Sequence, residues 1–287
     1  MTWLKQKEMI KKTLIFTFLV IVVHSAYSQS EIMLENYFRT LKSIKVEIGG
    51  KPYDFLFDSG GGLTFISPEI ANDMDKEVYG NFVGFRMSGE KIETKLCDSI
   101  TIGIGGRNFF HPYLGVFDIM SLLPEEFKRV DGLISLKTFE NEIISLNLKE
   151  NKLLVETEKS YLEKIKNMSL VESQFASGPN GGELTILTGI LYKNHYWWFL
   201  FDTGNIAQTK ISEHTAKEWG IDPKNESETS GPGEFTFELA GDSISVPIAV
   251  DEIIYDGALS FDFINQSVYT ISFKEEKLWK STSAKNK

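Results

Sequence analysis

Short runs in which apolar and polar residues alternate, each closed by a turn signal, recur along the chain and predict strands rather than helices. In Ile44-Lys45-Val46-Glu47-Ile48 every second residue is apolar, Gly49-Gly50 follows as a turn, and a second run begins at Tyr53. The arrangement returns at Leu184 to Leu191, with a turn at Lys193-Asn194-His195 and a second run from Tyr196. Both second runs end alike, in Phe55-Leu56-Phe57-Asp58-Ser59-Gly60 and in Phe199-Leu200-Phe201-Asp202-Thr203-Gly204. Ile-Ser then follows at 66–67 and at 211–212, where the serine can cap a short helix; Pro68 suits a first helical position and Gly220 can end the second helix.

A second pair of segments also recurs. Asp131 to Leu154 aligns without a gap on Asp256 to Trp279, each opening with Asp-Gly, two apolar residues and a serine (Ser135, Ser260). Each continues as a strand pair about a turn, Lys149-Glu150-Asn151 or Lys274-Glu275-Glu276. The same order of the same segments predicts an internal duplication and an all-β chain of two lobes with few short helices. The expected division is residues 29–157 for a first lobe with Asp58, 158–181 for a connection, and 182–287 for a second lobe with Asp202. Lobe one is the longer between its two motifs, and the extra length between Asp75 and Met120 holds a predicted hairpin about Met87-Ser88-Gly89-Glu90.

Composition narrows the class. Of 287 residues 42% are hydrophobic and 24% charged, which suits a globular chain with its own core. Lys5, Lys7, Lys11 and Lys12 precede an apolar stretch, Thr13 to Val23, and a small-residue site at Ala26-Tyr27-Ser28, so residues 1–28 read as a removable export signal. About eleven apolar residues are too few for a span of about 20. The expected location is periplasmic or extracellular, with no stable membrane anchor. A net charge of −10, more negative still once those lysines are gone, argues against a nucleic-acid partner. The single cysteine, Cys97, permits no intramolecular disulfide and lies in a strand-like run where a small buried side chain is expected. There is no HExxH or cysteine-rich zinc pattern; His111, His195 and His214 are scattered, expected at the surface or in turns, and Gly103 to Gly106 reads as a β-turn.

The chemistry lies in the doubled Asp-Ser/Thr-Gly. A carboxylate at the end of a buried strand is costly unless hydrogen-bonded, paired or protonated. Two matching lobes would bring Asp58 and Asp202 together, and carboxylates about 3 Å apart share a proton rather than both ionising. Such a pair holds a base and an acid at once: one member can take a proton from a bridging water as it attacks a carbonyl, while the other hydrogen-bonds the carbonyl oxygen. No metal or cofactor is required. Ser59 and Thr203 are suited to bond across the interface, and Gly60 and Gly204 to give room.

These residues resemble the pepsin and retropepsin superfamily of aspartic peptidases, and most closely the bacterial retropepsin-like aspartyl proteases. The resemblance implies an acid-protease fold, with Asp58 and Asp202 as catalytic residues supported by Ser59, Gly60, Thr203 and Gly204. It also implies a peptide or protein substrate held extended in a cleft between two lobes of one monomeric chain. The short stretch between Gln29 and the first expected strand leaves little length for a removable inhibitory segment, and none is expected. A hairpin covers that cleft in the family, for which Tyr79-Gly80 or Phe82 to Thr94 are candidates. The sequence departs from the family pattern at Gly61 and Asn205, after the motif glycines, and at Ser135 and Ser260, where glycine is usual. The function expected is an aspartic endopeptidase; the alternative is a weakly active or inactive peptide-binding protein of the same fold in the cell envelope.

Overall fold

The structure, a computed structural model, describes residues 29–178, 181–221 and 234–282. The expected export signal, residues 1–28, lies outside the described residues. In chain order the first strands are β1 (Ser30–Asn36), β2 (Lys42–Ile48), β3 (Lys51–Phe57), β4 (Phe65–Ile66), β5 (Tyr79–Phe85), β6 (Lys91–Ile104), β7 (Arg107–Val116), β8 (Gly132–Ile134), β9 (Ile143–Asn147) and β10 (Lys152–Val155). They are followed by β11 (Met168–Val171), β12 (Ser173–Ala176), β13 (Thr185–Tyr192), β14 (His195–Phe201), β15 (Thr209–Ser212), β16 (Glu234–Leu239), β17 (Asp242–Asp251), β18 (Gly257–Leu259), β19 (Tyr269–Ser272) and β20 (Lys277–Ser281). Among the described residues four short α-helices accompany them: α1 (Pro68–Asp73), α2 (Glu158–Lys164), α3 (Glu213–Trp219) and α4 (Phe261–Ile264).

The duplication expected from the repeats is present as two similar β-barrels. The first runs β2-β3-β8-β4-β7-β6 and closes where Glu47 of β2 pairs with Gly103 of β6. The second runs β13-β14-β18-β15-β17-β16 and closes where Leu191 of β13 pairs with Glu238 of β16. Strand senses match as well: β3–β8 and β14–β18 are parallel, as are β4–β7 and β15–β17. Below the barrels six strands, β11-β20-β19-β9-β10-β1, form a common sheet in which β9 and β19, one from each repeat, pair antiparallel at the centre.

Local chemistry explains these elements. The hairpins turn on Gly49-Gly50 (φ 59° and 77°) and Lys193-Asn194 (φ 50° and 61°), the positive values that match a two-residue turn to strand twist. Ser67 accepts from Ile70 N at the start of α1 and Ser212 from Thr215 N at the start of α3, which Gly220 ends at φ 80°. Alternation in β2 buries Ile44, Val46 and Ile48. In the second barrel Trp219 stacks between Phe235 (centroids 4.5 Å apart) and Phe199 (6.0 Å). Each such pair contributes roughly 0.5–1.5 kcal/mol beyond its buried area.

Three local expectations change. The stretch 158–181 is not a bare connection: after α2, β11 adds to β20 and β12 to β13. Its junction is fixed by Glu156, which accepts from Ser145 (2.7 Å), Ser160 (2.7 Å) and Gln29 (2.9 Å) and pairs with Lys164. Burial would raise this carboxyl, but bonds from Lys164, Ser145 and Ser160 outweigh it and hold the group low. Ahead of the first predicted run, at Ile44, residues 30–36 also form a strand, β1, which joins the common sheet to the first barrel. His111 is neither at the surface nor in a turn but 6% exposed in β7, and burial, helped by Lys137, pushes its pKa down to about 4. Cys97 is buried in β6 as expected, and its thiol is pushed up to about 11 by burial, so it is inert as a nucleophile.

Candidate functional site

The Phe-Leu-Phe runs are buried and place Asp58 and Asp202 just past the ends of β3 and β14, where the two barrels meet. Each run lies parallel to the strand that follows the recurring Asp-Gly, with Phe55 opposite Gly132 and Phe199 opposite Gly257. The aspartate of that dipeptide bonds back to the same strand. Asp131 Oδ2 accepts from Asp54 N at 3.4 Å and Asp256 Oδ2 from Trp198 N at 2.8 Å. Its glycine leaves space for the phenylalanine ring, since a Cβ on either Gly132 or Gly257 would stand 2.5 Å from a ring carbon. The distant Asp-Gly and the Phe-Leu-Phe are thus two halves of one packing unit, written once per barrel.

The two loops interlock. Ser59 N donates to Thr203 Oγ1 and Thr203 N to Ser59 Oγ, both at 2.9 Å, and Ser59 Oγ donates to Phe201 O at 2.7 Å. Gly60 N donates to Asp58 Oδ1 and Gly204 N to Asp202 Oδ1, both at 2.8 Å. Each glycine lies directly against the other barrel's carboxyl, because a Cβ on Gly60 would be 2.5 Å from Asp202 Oδ1 and one on Gly204 2.6 Å from Asp58 Oδ2. All six expected residues are therefore brought together. Replacing Ser59 by alanine would strip Phe201 O and Thr203 N of their partners, at roughly 1–3 kcal/mol each for a buried group. The expected result is a clear fall in the urea midpoint for Ser59→Ala, largely restored in Ser59→Thr, which keeps the hydroxyl.

The electrostatics fit one shared proton. The carboxyls of Asp58 and Asp202 face each other, each against the motif glycine of the other barrel. Burial pushes both above the ordinary carboxylate range, and Asp202 rises further because the Asp58 charge faces it. Asp58 rises less, since the N–H groups of Gly60 and Gly204 and its bond to Asp202 favour its ionised form. The titration belongs to the pair. It presents one acceptor and one donor side by side. Among the described residues no group of three or more His, Cys, Asp and Glu is placed to hold a metal ion.

The residues that depart from the peptidase pattern, Ser135, Ser260, Asn205 and Gly61, have local structural roles. Ser135 and Ser260 each cap the following turn, accepting from Lys137 N and Phe263 N. Their backbone N–H groups donate to Thr64 and Thr209 Oγ1 at 3.1 and 3.2 Å, so the serine is tied to the loop above it in both barrels. Asn205 is buried and donates to Gln208 O at 3.2 Å. At the matching position a Cβ on Gly61 would press on Leu133 at 2.7 Å. The two threonines were not singled out from sequence, although both stand six or seven residues after the motif aspartate.

The β5–β6 hairpin reaches across to the second barrel. At its tip Met87 O accepts from Ile254 N at 3.0 Å, and a Cβ on Gly89 would be 2.9 Å from Ile254 Cγ2. Of the two cover candidates this is the hairpin within Phe82 to Thr94; Tyr79 stands at its base, bonded to Asp98. Next to Ile254, Tyr255 is raised by burial and then by the Asp202 and Glu183 charges, so it lies within their reach. Sequence reading missed Glu183. Its side chain lies 3.7 Å from where Gly62 would carry a Cβ and 3.4 Å from the same point on Gly84 of the hairpin.

No family model matches the chain, and no curated protein matches it in sequence. Its fold is similar to that of basic 7S globulin from soybean, with a TM-score of 0.58 at 7% identity over 89% of this chain and 96% of that one. It is also similar to conglutin gamma, a basic 7S globulin from lupine seeds, with a TM-score of 0.57 at 9% identity over 89% and 95%. At such identities the likeness is one of fold alone. It corrects the expectation of an aspartic endopeptidase: the architecture on which that expectation leaned is one that seed globulins adopt, and a fold carries no activity by itself. Peptide-bond hydrolysis is accordingly not assigned to Asp58 and Asp202. Among the described residues, no helix is long and apolar enough to cross a membrane.

Proposed function

We propose that the protein is an exported binding protein of the two-lobed acid-protease architecture, which takes an extended polypeptide segment into the seam between its barrels and holds it on Asp58 and Asp202. The observation that carries this reading is a pair of carboxyls brought together at the seam, each packed against the other barrel's motif glycine, beside a hairpin whose tip is bonded to the opposite barrel; with both raised on folding, such a pair holds one proton over a range of pH. An extended segment offers a carbonyl and an N–H in alternation. The protonated carboxyl donates to the first and the ionised one accepts from the second, both in a site where burial strengthens each bond. The leader-like residues 1–28 support export, both barrels in one chain support a monomer, and the net charge of −10 opposes nucleic acid as the partner.

A fluorescent library of unstructured decapeptides, titrated by anisotropy from acid to neutral pH and then weighed by mass spectrometry, tests the reading. Saturable binding with peptides recovered at their original masses is expected. Cleavage that disappears in Asp58→Asn would overturn it.

A further inference from the structure

Leu184 N donates to Gly62 O at 3.0 Å, and this bond seats the preceding residue, Glu183, against the loop that carries Asp58. The Glu183 stem lies over Gly62. One carboxyl oxygen faces Gly84 on the hairpin and the other faces Gly178, 2.6 Å from where a Cβ would stand. Three glycines therefore present bare backbone to this side chain, two of them directly at its carboxyl oxygens. Among the described residues no lysine or arginine pairs with Glu183, although exposed Glu93 and half-buried Glu142 have cations. Burial has raised it, and its charge reaches Tyr255, which also feels Asp202. Glu183 thus adds a negative group beside the loop that carries Asp58, partly removed from water and with no counter-ion among the described residues. A ligand that carries a cation there recovers what desolvation costs, and one that carries an anion is repelled.

We propose that Glu183 sets the specificity of the peptide cleft by pairing with a lysine or arginine side chain of the bound segment. The proposal rests on the peptide-binding reading above and names the class of peptide it takes. A long aliphatic stem can lie along the glycine-lined wall with its charged head at the carboxylate.

The test is a positional scan in which each residue of a binding decapeptide is replaced in turn by Arg, Lys, citrulline or Glu, measured against the full chain and against its Glu183→Gln and Glu183→Lys variants. The expected result is one position at which Arg or Lys binds about tenfold or more tighter than citrulline. Glu183→Gln should abolish that preference while leaving the citrulline peptide's affinity in place, and Glu183→Lys should turn it toward Glu. Binding without a cationic preference at any position overturns this proposal alone, as does a preference that survives Glu183→Gln. No binding by any peptide removes the parent reading and this one with it.

Discussion

Replacing Gly132 by alanine is expected to destabilise the protein by about 3 kcal/mol or more, far beyond an ordinary Gly→Ala change. A Cβ there would be 2.3 Å from the carbonyl oxygen of Phe65 and 2.5 Å from the Phe55 ring. Neither neighbour can yield. The carbonyl belongs to β4, which pairs with β8 at this point, and the ring is fully buried between the strand that ends in Asp58 and the rest of the core. Gly257 repeats the case with the Phe199 ring at 2.5 Å and Lys210 O at 2.7 Å, so Gly257→Ala should cost a similar amount in the second barrel. Gly50 is the control: its φ is 77°, with nothing within 4 Å, so alanine there should cost only about 1 kcal/mol of backbone strain. Urea midpoints of the three variants decide the matter. If Gly132→Ala and Gly257→Ala unfold with Gly50→Ala, the Asp-Gly is a turn preference and not the packing unit described above.

The parts of this fold legible in sequence are those set by neighbouring residues. Gly-Gly and Lys-Asn turns, serine caps before α1 and α3, and the period-two pattern of β2 all act within a few positions, and all stand where the pattern placed them. The doubled motif also exposed the duplication, because each barrel needs the same phenylalanine, aspartate and glycine to close. What stayed hidden depends on distant partners. The residues of β11, Met-Ser-Leu-Val, show no usable alternation, and their pairing partners at Leu278 to Ser281 are more than 100 residues away. The burial of His111 and the seating of Glu183 likewise follow from where the chain crosses itself. The doubled motif pointed to Asp58 and Asp202 as neighbours, and the structure sets their loops against each other, but two adjacent acids do not by themselves say whether a bound peptide is held or cut.

Replacing Asp202 by asparagine should make the protein more stable than the wild type, by an amount that grows as the pH rises from about 4 to 8. Both carboxyls of the pair are raised on folding, Asp202 the further. A folded pKa above the unfolded one means that the native state binds more protons. The associated stability is therefore complete below the ordinary carboxylate range, near 4, and is lost as pH climbs through the raised value. Asparagine keeps the shape and can still accept from Gly204 N while donating to Asp58, yet it has no charge to strand in a buried seam. Groups shifted the other way, such as Asp54, Glu156 and Asp251, are present in both proteins and cancel in the difference. Each kcal/mol regained should lift the melting midpoint by about 2–4 °C for a domain of this size. Melting curves of the two proteins that run parallel across that pH range would show instead that Asp58 and Asp202 titrate as independent, well-solvated acids, and the shared proton on which peptide binding at the seam depends would be absent.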